Sequence, residues 1–338
     1  MLRLASSGLN GVQGNLVTAA TISQSQAKGI ACVLAGMALL SAQDAVIKWL
    51  SGDYPLHQVI LGRSAVALAL TLIVVRLEGG WGLLRSRRPG LHLARALLLV
   101  VANVSYFLAL AAMPLAEAIA IFFVAPLFIT ALSVPFLGER VGPRRWLAVL
   151  AGLCGVVVML RPGEGAIDPV ALLPVLAAFC YAAMQILTRR LGVTDKASTM
   201  VFYIQLTFVV ISGAAGLALG DGRFAGSGDP SLEFLLRAWI WPSREDALLI
   251  LVCGVLIAAA AYLLSQAYRT AEANIVAPFE YIAVPLSAVW GILLWGDWPD
   301  LTAVFGILLI VGAGLLVFAR EASLGRLLAA RRPLPPER

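Results

Sequence analysis

Residues 118–138 read AIAIFFVAPLFITALSVPFLG, a stretch without a single charged side chain. A helix needs about 20 apolar residues to cross the hydrocarbon core of a bilayer, so this stretch predicts a transmembrane helix. Other charge-free runs of similar length occupy residues 96–116, 169–188, 197–220, 247–268 and 301–319. Shorter apolar spans lie at residues 29–43, 64–75, 146–160 and 281–296. We therefore predict an all-α membrane protein with ten transmembrane helices, at residues 28–50, 57–77, 93–113, 115–137, 144–161, 169–191, 198–219, 246–268, 272–295 and 300–319.

The composition of the chain supports this fold class. Of the 338 residues, 60% are apolar and 13% are charged, whereas soluble domains average about 45–50% and about 25%. So few charged side chains cannot cover a soluble body of this size. This excludes an ordinary cytosolic enzyme, a disordered chain and a nucleic-acid binder. The sequence also lacks the common zinc, nucleophile and phosphate-loop motifs. We therefore expect no enzymatic activity, no catalytic residue, no metal, no cofactor and no nucleic-acid partner.

The positive charges predict the orientation of the chain in the membrane. Most of the 25 lysines and arginines fall on one side when the N-terminus is placed in the cytoplasm. Cytoplasmic loops are rich in Lys and Arg, so both termini are predicted to be cytoplasmic. The acidic loop at residues 221–246 then lies outside. Residues 1–27 are predicted to form a disordered N-terminal tail, and residues 321–338 a cytoplasmic C-terminal tail.

Two parts of the chain repeat one pattern. Residues 125–139 begin Ala-Pro-Leu and end Gly-Glu, while residues 284–297 begin Val-Pro-Leu and end Gly-Asp. The repeat divides the chain into a first half with helices 1–5, at residues 28–161, and a second half with helices 6–10, at residues 162–320. Because five is odd, the second half enters the bilayer from the opposite face. This predicts a 5+5 inverted-topology repeat.

Further motifs extend the pattern: Arg63 in the second span, Arg161-Pro162-Gly163, the Ile-Leu-Thr-Arg-Arg run at 186–190 and the Ala-Pro-Phe-Glu-Tyr run at 277–281. Together with ten spans in two halves, they resemble the drug/metabolite transporter superfamily in its EamA-domain family, over residues 28–320. Within that superfamily the chain is similar to bacterial exporters of amino acids and to S-adenosylmethionine uptake carriers.

The resemblance implies a secondary-active transporter of a small organic metabolite in the bacterial inner membrane. We expect export of amino acids, including aromatic ones, by alternating access. An uptake carrier for S-adenosylmethionine or another nucleoside-like metabolite is the first alternative, and a passive channel is the second. The expected partners are the small-molecule substrate and the lipid bilayer. The chain is expected to be a monomer, with a dimer as the alternative.

Ionisable side chains within the spans are candidate functional groups, because each one costs about 2.5–3.5 kcal/mol at the centre of a membrane helix. Asp44, Arg63 and Glu280 lie well inside predicted spans. Asp44 and Arg63 fall at similar depth and are expected to pair, with Lys48 as a competitor for the carboxylate four residues away. Such a pair either locks two helices or faces the substrate. Glu280 is a candidate proton site or partner of a substrate ammonium, or else it bonds to a neighbouring helix.

Prolines in two equivalent spans mark the expected moving parts. Pro126 in the fourth span, and Pro278 and Pro285 in the ninth, remove backbone donors and predict hinges beside a substrate pathway. Polar and aromatic residues at comparable depth are candidate walls of that pathway, with packing between helices as the alternative role of each. They are Asn103, Tyr106, Phe122, Phe123, Tyr181, Gln185, Tyr262, Gln266, Tyr281 and Trp290.

Overall fold

The fold is given by a computed structural model that describes residues 3–137, 143–160, 169–191, 197–270 and 277–330. Over these ranges the chain is helical and contains no β-strand. The helices are α1 (Arg3–Leu50), α2 (Leu56–Glu78), α3 (Pro89–Ala112), α4 (Leu115–Phe122), α5 (Ala125–Leu137), α6 (Pro143–Leu160), α7 (Pro169–Leu191), α8 (Ala197–Leu219), α9 (Pro230–Leu236), α10 (Arg244–Thr270), α11 (Ala283–Trp295) and α12 (Leu301–Ala330). Short 3-10 segments lie at Trp81–Leu84 and Ala277–Ile282.

The helices agree with the predicted spans. Within the described residues, seven helices are long and apolar enough to cross a membrane. Three shorter apolar helices lie at Val149–Leu160, Phe279–Trp295 and Leu301–Ala313. The prediction of an all-α membrane protein is therefore confirmed for the described part of the chain. The ten crossings, the cytoplasmic termini and the boundaries of the two halves stay predictions.

The first helix begins upstream of its predicted span. α1 starts at Arg3, whereas its membrane-spanning part starts at Ala27, beside the predicted boundary. Residues 3–26 contain no proline that would end a helix, so the helix continues where a disordered tail was expected.

The last helix also runs past its predicted span, to Ala330. Its continuation is rich in Leu and Ala, which favour helix. Residues 331–338, the Gly138-Glu139 pair and the Arg161-Pro162-Gly163 motif lie outside the described residues.

The fourth predicted span consists of two helices. α4 ends at Phe122 and α5 begins at Ala125, so the chain leaves helical geometry between them. Pro126 accounts for the break. It has no N–H to donate to the carbonyl of Phe122, and its ring crowds the turn before it.

The ninth predicted span has the same construction. The 3-10 segment Ala277–Ile282, which contains the backbone of Pro278, passes into α11 just before Pro285. The two interruptions thus fall in the fourth and ninth spans, which the predicted repeat relates to each other. An interrupted helix is tolerated at membrane depth where it borders a cavity, so both breaks point to the interior of the bundle.

The helices pair in a pattern that exchanges the two halves. α1 packs on α10, and the equivalent helix of the second half, α7, packs on α3. In the same way α5 packs on α7, and α11 packs on α1. The pairs α2–α8 and α6–α12 each join equivalent helices. Two repeats related by a two-fold axis are expected to pair like this.

Glycine sets the distance between α6 and α12. A β-carbon on Gly155 would lie 2.9 Å from Leu309 Cβ and Ile310 Cγ1, and 3.1 Å from the carbonyl oxygen of Gly306. These atoms belong to the backbone or lie close to it, so they cannot move aside cheaply. Small residues allow close approach of membrane helices, which is the role of Gly155 here.

We expect Gly155→Val to lower the midpoint of thermal unfolding in detergent, because overpacking a close contact costs about 1–3 kcal/mol. Gly312→Val is the matched control, since a β-carbon at Gly312 of α12 meets no atom within 4 Å. Equal midpoints for the two variants would contradict the importance of this contact.

Candidate functional site

A cavity of about 310 Å³ lies at the centre of the helices. Its walls come from α1, α2, α3, both sides of the α4–α5 break, α7, α8, α10 and the 3-10 segment before α11. The residues proposed from the sequence that line the cavity are Asp44, Arg63, Asn103, Tyr106, Phe122, Phe123, Pro126, Tyr181 and Glu280. The cavity therefore brings together both interrupted helices and the three ionisable candidates.

Asp44 is held by neutral donors. The hydroxyl of Tyr106 donates to Oδ2 of Asp44 at 2.8 Å. Nε2 of the neighbouring Gln43 donates to Oδ1 at 3.4 Å. α1 thus presents a carboxylate to the cavity, and α3 fixes its orientation.

Arg63 is buried in α2, with 4% of its surface exposed. Its Nη2 donates to Oδ1 of Asn103 at 2.8 Å. Its guanidinium carbon lies 5.0 Å from the ring centre of Phe107 and 5.8 Å from that of Phe208. Aromatic faces attract a desolvated cation, so these rings stabilise the charge at this depth.

The expected direct pair between Asp44 and Arg63 is replaced by two bonds to α3. Asn103 and Tyr106 are one helical turn apart, and each of them binds one of the two charges. The charges still attract each other through the protein. The arrangement leaves a carboxylate and a guanidinium side by side on one cavity wall without neutralising either of them by contact.

Lys48 does not compete for Asp44. Its Nζ donates to the carbonyl oxygens of Leu110 and Met113, at 2.8 and 2.7 Å. These carbonyls belong to the C-terminal end of α3, where a helix carries partial negative charge. The ammonium also lies 5.3 Å from the ring centre of Trp295. Lys48 therefore caps α3.

Aromatic rings form a continuous wall of the cavity. The ring of Phe122 lies between those of Tyr106 and Tyr181, with ring centres 5.1 and 5.5 Å away. Phe123 meets Phe122 edge to face at 6.3 Å, and Tyr281 stands beside Phe123 at 5.0 Å. The α4–α5 break thus places two adjacent aromatic residues in the cavity. Rings of this kind provide faces and edges for a planar ligand.

Glu280 enters the cavity from the second interrupted helix. It lies in the 3-10 segment Ala277–Ile282 and interacts electrostatically with the hydroxyls of Tyr181 and Tyr281. Because Glu280 lines the same cavity as Asp44, the cavity has an acidic group from each half of the chain.

The remaining candidates lie away from this cavity. Gln185 does not line the cavity, but it donates to the hydroxyl of Tyr181, which does, at 2.9 Å. Gln266 donates to the hydroxyl of Tyr262 at 2.9 Å on the far face of α10. Leu264, which lies between these two residues in sequence, faces the cavity. Residues two positions apart on an α-helix point about 200° away from each other, so Tyr262 and Gln266 face away from the cavity. Neither Tyr262 nor Gln266 lines the central cavity, and their place on a substrate pathway stays a prediction.

Other candidates belong to the packing around the cavity. Tyr281 is buried behind Phe123, and Trp290 packs against the hydrophobic core. Pro285 is exposed on the outside of α11. The side chain of Pro278 lies outside the described residues.

Sequence reasoning missed Gln43, Gln205 and Phe208, which also line the cavity. A signal existed for the two glutamines, since each is a polar side chain within an apolar span. Nothing in the pattern distinguishes Phe208 from other apolar residues of α8.

Contacts between residues 51–58 and 237–246 join the two halves of the chain at one end of the bundle, and we call them the seal. Arg237 donates to the carbonyl oxygens of Ser51 and Gly52. Nε2 of Gln58 donates to the carbonyl oxygen of Ile240 at 2.6 Å. The seal thus joins the α1–α2 turn of the first half to the segment between α9 and α10 in the second half.

The seal continues toward α10. The hydroxyl of Tyr54 donates to Oδ2 of Asp246 at 2.7 Å, and the hydroxyl of Ser243 donates to the same oxygen at 2.7 Å. Burial, together with the bond to Asp246, raises the pKa of Tyr54, so its phenol keeps the donated proton.

Trp239 anchors the middle of the seal. Its indole N–H donates to Nδ1 of His57. The indole lies directly on Gly216 of α8, where a β-carbon would come within 2.1 Å of the ring. The glycine leaves the space that the ring fills.

Comparison with known proteins identifies the class of this fold and site. The EamA-like transporter family matches residues 27–161 and 169–319. The chain belongs to this family, which confirms the resemblance inferred from the motifs. The family model thus matches the chain twice. A solved crystal structure shares the fold, with a TM-score of 0.58 and 20% identity over 90% of this chain and 99% of that chain.

Curated relatives are named as transporters of small metabolites. A riboflavin transporter of Rhizobium johnstonii is 32% identical over 86% of this chain and 90% of its own length. An S-adenosylmethionine uptake transporter of Rickettsia prowazekii is 26% identical over 87% of this chain and 93% of its length. A pseudopaline exporter of Pseudomonas aeruginosa is 28% identical over 80% of this chain and 89% of its own length. The chain is thus a multi-pass membrane protein of a transporter family.

Proposed function

We propose that this protein is a secondary carrier that moves a planar heteroaromatic metabolite, of the flavin or nucleoside type, by alternating access. The observation that carries the proposal is the central cavity. It joins a continuous aromatic wall to hydrogen-bonding groups on Asp44, Arg63 and Asn103. Stacking faces beside fixed polar groups suit a ring system with heteroatoms at its edge.

The size of the cavity supports this cargo class. A volume of about 310 Å³ stands at the lower end of the range of about 300–1,000 Å³ that drug-sized ligands occupy. Flavins and nucleosides belong to that size class, and most amino acids are smaller. The names of the riboflavin and S-adenosylmethionine relatives point in the same direction.

An aromatic amino acid is the second candidate cargo. The observation that favours it is the neighbouring carboxylate of Asp44 and guanidinium of Arg63, which match the ammonium and carboxylate of a zwitterion. This keeps the expectation of amino-acid export as the competing hypothesis. Glu280 stays the candidate proton site of either carrier, since it lines the same cavity.

Alternating access is supported by the interrupted helices and by the exchange of helix pairs between the two halves. We infer an inverted 5+5 repeat in a bacterial inner membrane, with the seal on the external side. Pro126, Pro278 and Pro285 are the proposed hinges, because a proline weakens the helix at the turn before it. A passive channel needs no such two-state construction.

The cargo is tested by counterflow in liposomes. Purified protein is reconstituted in vesicles filled with unlabelled riboflavin, and entry of labelled riboflavin is followed. We expect transient accumulation of label above equilibrium, which a carrier produces and a channel does not. Adenosine and S-adenosylmethionine should compete, and leucine should not. Counterflow of tryptophan without counterflow of riboflavin would support the second candidate, and counterflow of neither would overturn the proposal.

The orientation is tested by cysteine labelling in intact cells, in a background without the four native cysteines. Ser227→Cys lies in the loop between α8 and α9 and should react with an impermeant maleimide. Ser86→Cys lies between α2 and α3 and should react only after the cells are opened. The reverse pattern would exclude cytoplasmic termini.

A further inference from the structure

A second cavity of about 110 Å³ lies between α2, α8 and α10. Its polar lining comes from Glu78, Thr71, Ser198, Gln205, Tyr262 and Gln266. Glu78 is the last residue of α2 and Ser198 the second residue of α8, so this cavity lies toward one end of the bundle. The seal is at the other end, since it contains His57 at the start of α2 and Asp246 at the start of α10.

Gln205 lines both the central cavity and this second cavity. On α8 it belongs to one face with Ser198, Val201 and Phe208, which follow one another at helical spacings of three and four residues. Ser198 and Val201 line the second cavity, and Phe208 lines the central one. One face of α8 therefore lines both the central cavity and the second cavity.

α2 continues in the same way. Arg63 of α2 lines the central cavity, and Leu70, Val74 and Glu78 line the second cavity farther along the helix. α10 borders the two cavities with different faces, since Ile257 and Leu264 line the central cavity, whereas Ala258, Tyr262 and Gln266 line the second. One face of α2 and one face of α8 thus border a groove that leads from Arg63 to the end of the bundle at Glu78, with α10 beside it.

We propose that this groove is the route by which cargo passes between the central cavity and the membrane face at Glu78, and that Gln205 selects cargo at its neck. The proposal rests on the carrier function proposed above. The second cavity is smaller than the central cavity, so cargo passes when the neck at Gln205 widens. The side-chain amide of Gln205 donates and accepts hydrogen bonds, so it can bind the polar edge of cargo that leaves Asn103.

Accessibility tests the route without any cargo. In a cysteine-free background, Gln205→Cys should react with an impermeant thiol reagent applied from the Glu78 side, at least about tenfold faster than from the seal side. Leu206→Cys is the matched control, because Leu206 is the adjacent residue and is exposed on the outer surface of α8. Equal labelling of Gln205→Cys and Leu206→Cys from the Glu78 side would overturn the route, whether or not riboflavin is transported.

Transport tests the selecting role of Gln205. We expect Gln205→Trp to lower riboflavin counterflow at least about 20-fold, because the larger side chain obstructs the neck and removes the amide that would bind cargo there. Leu206→Trp should keep the rate of the parent protein. Parental counterflow in Gln205→Trp would overturn the selecting role. Absence of riboflavin counterflow in the parent protein would instead contradict the cargo assignment and leave the labelling result to decide the route.

Discussion

Arg63→Leu is expected to lower cargo counterflow by at least about 100-fold and to destabilise the fold. The substitution removes the positive charge that acts on Asp44 and leaves Asn103 without its donor. Removal of one partner from a buried charge pair costs about 3–5 kcal/mol. A loss of about 2.7 kcal/mol in the binding of the transported state already corresponds to 100-fold. Counterflow in liposomes measures the first effect, and thermal unfolding in detergent measures the second.

The double variant Asp44→Asn/Arg63→Leu separates the two roles that the sequence left open. It removes the unbalanced charge of Asp44 but still leaves Asn103 without its donor, so it should recover part of the stability lost in the single variant. If the charges bind cargo, transport stays low in the double variant; recovery of transport would show that the pair only locks helices. Arg95→Leu is the matched control, because Arg95 is also a buried arginine but does not line the central cavity. Its guanidinium donates to the carbonyl oxygen of Met200 at 2.9 Å. Arg95→Leu should lower stability without changing cargo affinity.

Arg237→Ala is expected to open the seal. Hydrogen bonds from a charged donor contribute about 1.5–3 kcal/mol each, and Arg237 makes two of them to the α1–α2 turn. A loss of about 1.4 kcal/mol shifts an equilibrium tenfold. A cysteine at Leu40, which lines the central cavity, should therefore be labelled by an impermeant reagent from the seal side at least about tenfold faster.

Arg223→Ala is the control for this experiment. Arg223 lies in the same loop and pairs with Asp221 at 3.1 Å, but both side chains are more than half exposed. Exposed pairs of this kind contribute about 0–1 kcal/mol, so labelling should remain at the parental rate. An equal effect of the two arginines would mean that net charge in the loop, and not the seal, controls access.

The membrane-spanning helices were predictable because each one depends on local composition. The break before α5 was also accessible, since Pro126 lacks a donor in any context. The hydrogen-bond partners of Asp44 and Arg63 were not predictable from the sequence. Asp44 and Arg63 were expected to bind each other, and the sequence contains nothing that ranks Tyr106 or Asn103 above a direct pair. That choice depends on the rotation of α3 relative to α1 and α2, which only packing fixes.

The seal was beyond prediction for a related reason. Arg237 and Gln58 bind backbone carbonyls, which every residue possesses, so no pair of side chains signals the contact. Residues 221–246 were expected to form an external loop, and the short helix α9 within them was not foreseen. On α10, the alternation between Leu264 and Gln266 shows the same limit. The sequence places both at one depth, and only the structure shows which one faces the cavity.

Water would occupy a cavity with these charges on its wall whenever no cargo is bound. A space of about 310 Å³ has room for on the order of ten water molecules, at about 30 Å³ each. Cargo that enters must displace this water, so its affinity measures how much better it hydrogen-bonds to the wall than water does. A ring whose polar edge replaces the water at Asn103 will bind more tightly than an apolar ring of equal area. A carrier that returns without cargo will take water across the membrane in its place.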